Sequence, residues 1–249
     1  MAGNVIYTVT ENKNIADKTY IMKLEGDTTA FNAPGQFLNI QIEGFYLRRP
    51  ISVCSWNNQG VEIIYKVLGK GTARMAQYAP GTQLDVLTGL GNGFNPSAAK
   101  GKSTLLAGGG VGVPPLYGLA KELIKQEIIP TVTLGFRSAS DVFYEKEFQA
   151  LGCKTLVATE DGTFGSKGYV TNLMEEVDYQ YYYSCGPQAM LRSVYHLSQK
   201  KGAQGQLSFE ERMGCGFGAC MGCSCHTLVG PKRVCVDGPV FPSSEVIFE

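Results

Sequence analysis

Between Gly205 and Gly238 the chain carries five cysteines and seven glycines with almost no hydrophobic periodicity, so something other than a large apolar core must organise this stretch. Three of the cysteines stand in C-x4-C-x2-C spacing as Cys215, Cys220 and Cys223, and Cys235 follows twelve positions after Cys223. That first spacing is the plant-type [2Fe-2S] pattern. The chemistry calls for a tight loop of small residues, because backbone N–H groups turn inward to the sulfurs and side chains would block them. Gly214, Gly216, Gly218, Ala219 and Gly222 meet that need. A zinc knuckle or a set of inert thiols is the plainer alternative, but zinc favours two short C-x2-4-C hooks and the second hook is missing. Cys225 could replace Cys223 as a ligand or sit nearby as a small hydrophobe; Cys223 is preferred because it keeps the spacing. His226 lacks the nearby second histidine that a Rieske centre needs, and reads as solvent-facing.

Composition narrows the function classes. At 249 residues the chain is one or two domains, long enough for a real core. Its 22 Lys and Arg cancel 22 Asp and Glu, which argues against a nucleic acid or anionic membrane partner. No run approaches the ~18 apolar residues of a membrane span, and MAGNVIYTVTENKNIADK is too polar for a signal peptide, so a cytoplasmic protein is expected. The eight cysteines do not suggest a disulfide framework in a chain neither small nor visibly secreted.

The pattern divides the chain in three. Residues 1–98 hold short β-branched and aromatic runs cut by turns (NVIYTVTE, TYIMKLEG, FLNIQIEG, ISVCSW, VEIIYKVL, LDVLTG), expected as a small antiparallel barrel or sandwich. Residues 99–205 alternate strands with helices, the mark of a parallel sheet with crossovers. Here STLLAGGGVG reads as a buried strand entering a glycine turn, followed by a helix opened by Pro114 with Leu116, Leu119, Ala120, Leu123 and Ile124 on one face. DVFYEKEFQALG and YVTNLMEEV are expected as helices, and PQAMLRSVYHLSQKKG as a helix begun by Pro187. Residues 206–249 form the cysteine segment.

Weaker signals point to nucleotides. In LRRPISV, Arg49 offers a planar fork for a diphosphate and Ser52 a hydroxyl for a flavin ring nitrogen; an exposed strand edge would read the same. An ideal strand aims these two residues at opposite faces, so one ligand touches both only across a strand end. In YKVLGKGT, Gly69, Gly71 and Thr72 could free backbone N–H groups for phosphate, as could a plain turn. The loop GLGNGF at 89–94 is either another close approach to the ligand or a hairpin turn. LLAGGGVGVPPL resembles a dinucleotide turn without the standard G-x-G-x-x-G; Gly108, Gly109, Gly110 and Gly112 would admit a pyrophosphate near the helix start. Cys185, in CGP at a strand end, could lie against a nicotinamide or simply be buried.

Taken in order, RRPIS, GKGT, GGGVGVPPL, CGP and the cysteine cluster resemble the ferredoxin reductase superfamily, and within it the electron-transfer subunits of NAD-dependent dihydroorotate dehydrogenase B. ERMGCGFGACMGCSCH, VCVDGPVF and EDGTFGSKGYVT at 160–171 carry the match, which spans essentially the whole chain. The resemblance implies an FAD barrel, an NAD-binding α/β domain and a [2Fe-2S] subdomain. It implies that Arg49, Pro50, Ile51 and Ser52 hold FAD, that Ile64, Tyr65, Lys66, Gly71 and Thr72 complete its site, and that Cys215, Cys220, Cys223 and Cys235 carry the cluster. The superfamily's Arg-x-Tyr-Ser motif stands here as Arg49-Pro50-Ile51-Ser52, so its aromatic contact is missing or supplied elsewhere. An FMN-containing catalytic subunit, in a two-plus-two heterotetramer, would oxidise dihydroorotate in pyrimidine biosynthesis; electrons would run through [2Fe-2S] and FAD to NAD. No catalytic general base is expected in this chain. The same domain order would serve a flavin and iron-sulfur diaphorase subunit of a hydrogenase or of a ferredoxin:NAD(P) oxidoreductase, and a redox-sensing module would lack flavin altogether. The choice of NAD over NADP rests on the resemblance, since no ribose-reading acidic residue can be placed after the second α/β strand. Met213, Phe217, Met221 and Phe241 are candidates for the partner interface or for packing around the cluster.

Overall fold

The computed structural model describes residues 3–248. Strands β1 (Gly3–Ala16), β2 (Thr19–Glu25), β3 (Phe37–Ile40), β4 (Arg49–Trp56), β5 (Gly60–Lys66) and β6 (Gln83–Leu90) close a barrel in the order β1-β2-β5-β4-β3-β6, all pairs antiparallel. Along β6 every second residue is buried, as a strand with one face to a core requires. Tyr7, Met22, Leu38, Ile40, Ile63 and Val86 fill the interior. A short helix, α1 (Lys70–Met75), follows β5.

One seam of the barrel is open. The first half of β4, Arg49–Ser52, pairs only with β3, whereas β4 meets β5 from Val53 to Trp56. Likewise Ile64–Lys66 of β5 pair only with β2. A register shift between Val53 and Ser55 marks where the strands part. Two facing strand edges are therefore left without ladder partners.

The second layer is a seven-stranded sheet in the order β10-β9-β8-β7-β11-β12-β15. It comprises β7 (Thr104–Gly109), β8 (Thr131–Phe136), β9 (Thr155–Thr159), β10 (Ser166–Lys167), β11 (Tyr181–Cys185) and β12 (Gln204–Ser208), all parallel, and β15 (Val240–Pro242), antiparallel to β12. Helices α2 (Val113–Lys125), α3 (Glu145–Ala150), α4 (Val170–Glu175) and α5 (Gln188–Lys200) make the crossovers. The expected helix over 141–152 is shorter: a 3-10 turn at Ala139–Asp141 precedes it, and Tyr144 enters α3 at φ 66 with its hydroxyl donating to Glu62 on the barrel (2.6 Å). That tertiary bond selects a backbone conformation that local propensity disfavours.

Barrel and sheet share a core. Ile21, Cys54 and Ile64 pack in one cluster with Leu116, Leu119 and Ala120 of α2. At Gly118 a Cβ would come 2.5 Å from the Cys54 carbonyl oxygen, so the backbone of α2 lies directly on β4.

The cysteine segment is more firmly packed than its sequence suggests. The expected boundary at 205–206 falls inside β12, and β15 returns to the same sheet. A second core cluster joins Phe37 and Leu90 of the barrel, Leu105 and Tyr182 of the sheet, and Cys223, Val234, Cys235, Phe241 and Val246 of the C-terminal segment. A hairpin of β13 (Ser224–Thr227) and β14 (Gly230–Arg233) spans the interval between Cys223 and Cys235.

Candidate functional site

The open seam brings together two of the motifs read separately in the sequence. Arg49–Ser52 form one lip and Ile64–Lys66 the other. In antiparallel strands alternate residues aim N–H and C=O to one side, so each lip presents unpaired backbone groups to whatever lies between them. An isoalloxazine rim, with its row of nitrogen and oxygen atoms, is a suitable partner. The side chains of the second lip are engaged elsewhere: Ile64 is in the shared core, and Tyr65 is buried with its hydroxyl donating to Asn12 (2.9 Å). The Lys66 ammonium binds Asp141 (2.6 Å). These three residues can offer a flavin their main chain rather than their side chains.

Gly71 lies under the Arg49 guanidinium: a Cβ there would be 2.5 Å from Nε. The two phosphate signals thus meet at one point, with the guanidinium also over the Phe45 ring at 5.2 Å. The Thr72 hydroxyl accepts from the N–H groups of Leu68 (3.0 Å) and Gly69 (3.3 Å), which ties the turn rather than leaving that hydroxyl for a ligand.

The cysteines sort into two pairs. The Cys215 sulfur accepts from the N–H of Ala219 (3.2 Å) and Cys220 (3.4 Å), and the Cys220 sulfur from the N–H of Cys215 (3.4 Å) and Gly222 (3.5 Å). The Cys223 sulfur accepts from the N–H of Cys235 (3.4 Å). Cys223 and Cys235 are buried, while Cys215 is half-buried and Cys220 exposed. Burial pushes the Cys215 thiol up, but N–H donation from Phe217, Cys220 and Ala219 outweighs it and holds the group at about 6. Burial and the neighbouring Cys223 push Cys235 up to about 12. Among the described residues no three His, Cys, Asp or Glu side chains are gathered around a point that would hold a single metal ion. Two pairs with sulfur-directed N–H groups would suit a two-iron cluster, which takes four thiolates stabilised by such hydrogen bonds. Cys225 lies outside both pairs, half-buried against the second core cluster, and His226 is exposed.

In the sheet, the GGG stretch that ends β7 and the CGP stretch that ends β11 adjoin at the carboxyl ends of neighbouring strands, where open α/β sheets bind ligands. Two of the glycines there have packing reasons. A Cβ at Gly109 would lie 2.5 Å from Met190 Sδ, and one at Gly112 would lie 2.3 Å from the Cys185 carbonyl oxygen. Gly110, at φ 50 with open space around it, is the one free to face a ligand. The Cys185 thiol is buried, and burial pushes it up to about 12.

The family described as "Oxidoreductase NAD-binding domain" matches residues 106–196, and "Iron-sulfur cluster binding domain of dihydroorotate dehydrogenase B" matches residues 210–247. "Dihydroorotate dehydrogenase B (NAD(+)), electron transfer subunit" of Bacillus pumilus is 47% identical, covering 96% of each chain. That of Bacillus caldolyticus is 44% identical over 99% of this chain and 100% of its own. The chain belongs to the family of dihydroorotate dehydrogenase B electron-transfer subunits. A solved structure from work on flavin-based electron bifurcation in an NADH-dependent reduced ferredoxin-NADP oxidoreductase superposes with TM-score 0.86 at 26% identity, covering 99% of this chain and 91% of that one. A cytochrome P450 reductase from Amycolatopsis shares the fold at TM-score 0.71 and 20% identity.

As a member of that family the chain is an oxidoreductase subunit, with an NAD-binding domain and an iron-sulfur domain behind a flavin-reductase barrel. Sequence reasoning missed the joints between these parts. The GLGNGF loop has a role beyond those two readings: Asn92 donates to the Val236 carbonyl (2.9 Å) and a Cβ at Gly91 would meet Pro239 at 2.6 Å, so the loop docks the cysteine segment on the barrel. Asn39 donates to the Cys215 carbonyl (3.2 Å), a contact no local motif announces. Phe241, an interface candidate, is in the core, and Met213 is half-buried against it; Phe217 and Met221 are exposed.

Proposed function

We propose that this chain carries electrons from the FMN of a dihydroorotate-oxidising catalytic subunit to NAD+, using a [2Fe-2S] cluster on Cys215, Cys220, Cys223 and Cys235 and an FAD in the barrel seam. When bound, the cluster supplies one-electron transfer, and the flavin combines single electrons into a hydride for the nicotinamide. The chain's residues supply binding and orientation. The unpaired lips Arg49–Ser52 and Ile64–Lys66 hold the flavin ring, Arg49 beside Gly71 holds its diphosphate, and the GGG turn with Cys185 seats the nicotinamide nucleotide. The shared core keeps the barrel and α2 in fixed relation, so flavin and nucleotide sites cannot drift apart.

The observation that carries this reading is the two-by-two arrangement of the cysteine sulfurs in a segment packed against both the barrel and the sheet. Phe217 at 53% and Met221 at 58% exposure flank the ligands and offer an apolar surface to the partner, assembled as two copies of each subunit. Among the described residues no helix is long and apolar enough to cross a membrane. Anaerobic purification with iron, sulfide and FAD counted on one sample tests the reading; about two iron, two sulfide and one flavin per chain are expected. Adding an FMN-containing dihydroorotate dehydrogenase should then give dihydroorotate-dependent NAD+ reduction. Zinc without flavin overturns the proposal, and NAD-linked turnover only with ferredoxin or hydrogen overturns the partner.

A further inference from the structure

Asn39, 1% exposed, is on β3 directly opposite Pro50 of the first lip. Its side chain leaves the barrel and donates through Nδ2 to the Cys215 carbonyl at 3.2 Å. Gly216, at φ 80, accepts this approach; a Cβ there would lie 2.5 Å from the same Nδ2. Among the described residues this is the only hydrogen bond between the barrel and the loop 214–222, which is otherwise tied from outside by Arg233 donating to the Gly218 carbonyl (2.8 Å) and by Ser224 Oγ donating to the Met221 carbonyl (2.7 Å).

The other end of the amide is unsatisfied: Asn39 Oδ1 is buried with no hydrogen-bond partner. A lone buried acceptor destabilises a fold, and a leucine of similar size would remove the penalty. Stability by itself therefore argues against asparagine at this position. What asparagine does, and leucine could not, is hold the carbonyl of the first cysteine in the cluster loop.

We infer that Asn39 is a positioning residue, pinning the Cys215–Gly216 turn to the lip of the flavin opening and so setting the rate of electron exchange between cluster and flavin. The inference rests on the cluster and flavin sites proposed above. Two observations stand behind it besides the hydrogen bond. Asn39 belongs by ladder register to the strand that backs the lip, so the cysteine carbonyl and the flavin edge are joined through one residue. The outer cysteines, half-buried and exposed, also lack the core packing that holds Cys223 and Cys235, and need a separate tether. No bond forms or breaks at Asn39; the electron lost by one centre is the electron gained by the other.

The test uses the full chain loaded with FAD and cluster, as wild type, Asn39→Leu and Asn39→Ala. The alanine removes the donor without adding charge or bulk, and serves alone should the leucine variant not fold. Four quantities are read: iron and FAD content, thermal midpoint, the rate at which NADH reduces the cluster in stopped flow, and the paramagnetic resonance spectrum of the reduced cluster. NADH-to-dye turnover, which needs only the flavin and nucleotide sites, is the internal control. We expect full cofactor content, unchanged dye turnover, no loss of thermal midpoint in Asn39→Leu, and an altered cluster spectrum. Cluster reduction should slow by about 10- to 100-fold, the range seen when an outer-shell partner of a metal site is removed. Unchanged cluster reduction, an equal fall in dye turnover, or loss of iron overturns the inference. Wild-type protein without a reduced-cluster signal would instead sink the cluster assignment itself, before any variant is compared.

Discussion

Arg49 and Gly71 illustrate how a residue's role depends on a neighbour the sequence does not reveal. Each alone reads as an exposed strand edge or an ordinary turn; the fold brings them so close that a Cβ on Gly71 would lie 2.5 Å from Arg49 Nε. Arg49→Ala should lower FAD occupancy by removing a charge-assisted contact worth about 1.5–3 kcal/mol, roughly tenfold or more in affinity, read as flavin retained after gel filtration. Flavin content equal to wild type would remove Arg49 from the site. The cysteines are the opposite case. The spacing of the proposed ligands is local chemistry, so it is legible without tertiary information; in the fold the Cys215 sulfur accepts from the Cys220 N–H and the Cys223 sulfur from the Cys235 N–H. Cys220→Ser should abolish the cluster's visible bands and iron content while FAD remains. Glycines are harder to read: Gly109 and Gly112 signal a nucleotide turn in the sequence, yet each also admits a specific neighbour, Met190 Sδ and the Cys185 carbonyl.

At the scale of elements, alternation and helix periodicity were enough to place six barrel strands and the β-α repeats, because burial on one face is a local pattern. Short or non-local elements escaped. The two-residue β10 has no periodicity to detect, and β15 becomes a strand only because β12 offers it an edge. Phe241, 1% exposed on β15, joins Cys223 and Cys235 in one core cluster. Phe241→Ala should therefore destabilise by about 3–5 kcal/mol. Calorimetry should record the loss together with weaker cluster retention, since the same packing holds the inner ligand pair. Normal iron content at a lowered melting temperature would separate the two.

The whole molecule depends on contacts between its layers. Lys66 on the barrel binds Asp141 beside α3. Burial pushes the Asp141 carboxyl up, but the Lys66 ammonium and the Ser138 hydroxyl outweigh it and hold it below the usual carboxylate range. A depressed folded-state value means that the pair's stabilisation is present above about pH 4, the unfolded value, and is lost as pH falls through the folded one. Asp141→Asn should cost about 1–2 kcal/mol near neutrality and flatten the fall in stability toward acid, as urea midpoints between neutral and acid pH would record. An unaltered acid profile would exclude the pair as a source of acid sensitivity. Partner docking belongs to this scale too: oxidative footprinting with the catalytic subunit bound should protect Met221 more than the half-buried Met213, and equal labelling of Met221 with and without partner would place the interface elsewhere.

From sequence alone came the proposed cluster ligands and the β and α/β halves, because spacing and periodicity are recorded within a few residues of chain, while the family was legible by resemblance of whole motifs. Only the tertiary structure decided how the motifs meet. The parting of β4 from β5, which makes one opening of two motifs, is a matter of register between strands. The approach of Asn39 to Cys215 joins positions 176 residues apart. Neither leaves a local pattern, since a strand pairs by its backbone, which every residue shares, and an asparagine amide is read only by what stands within hydrogen-bond reach.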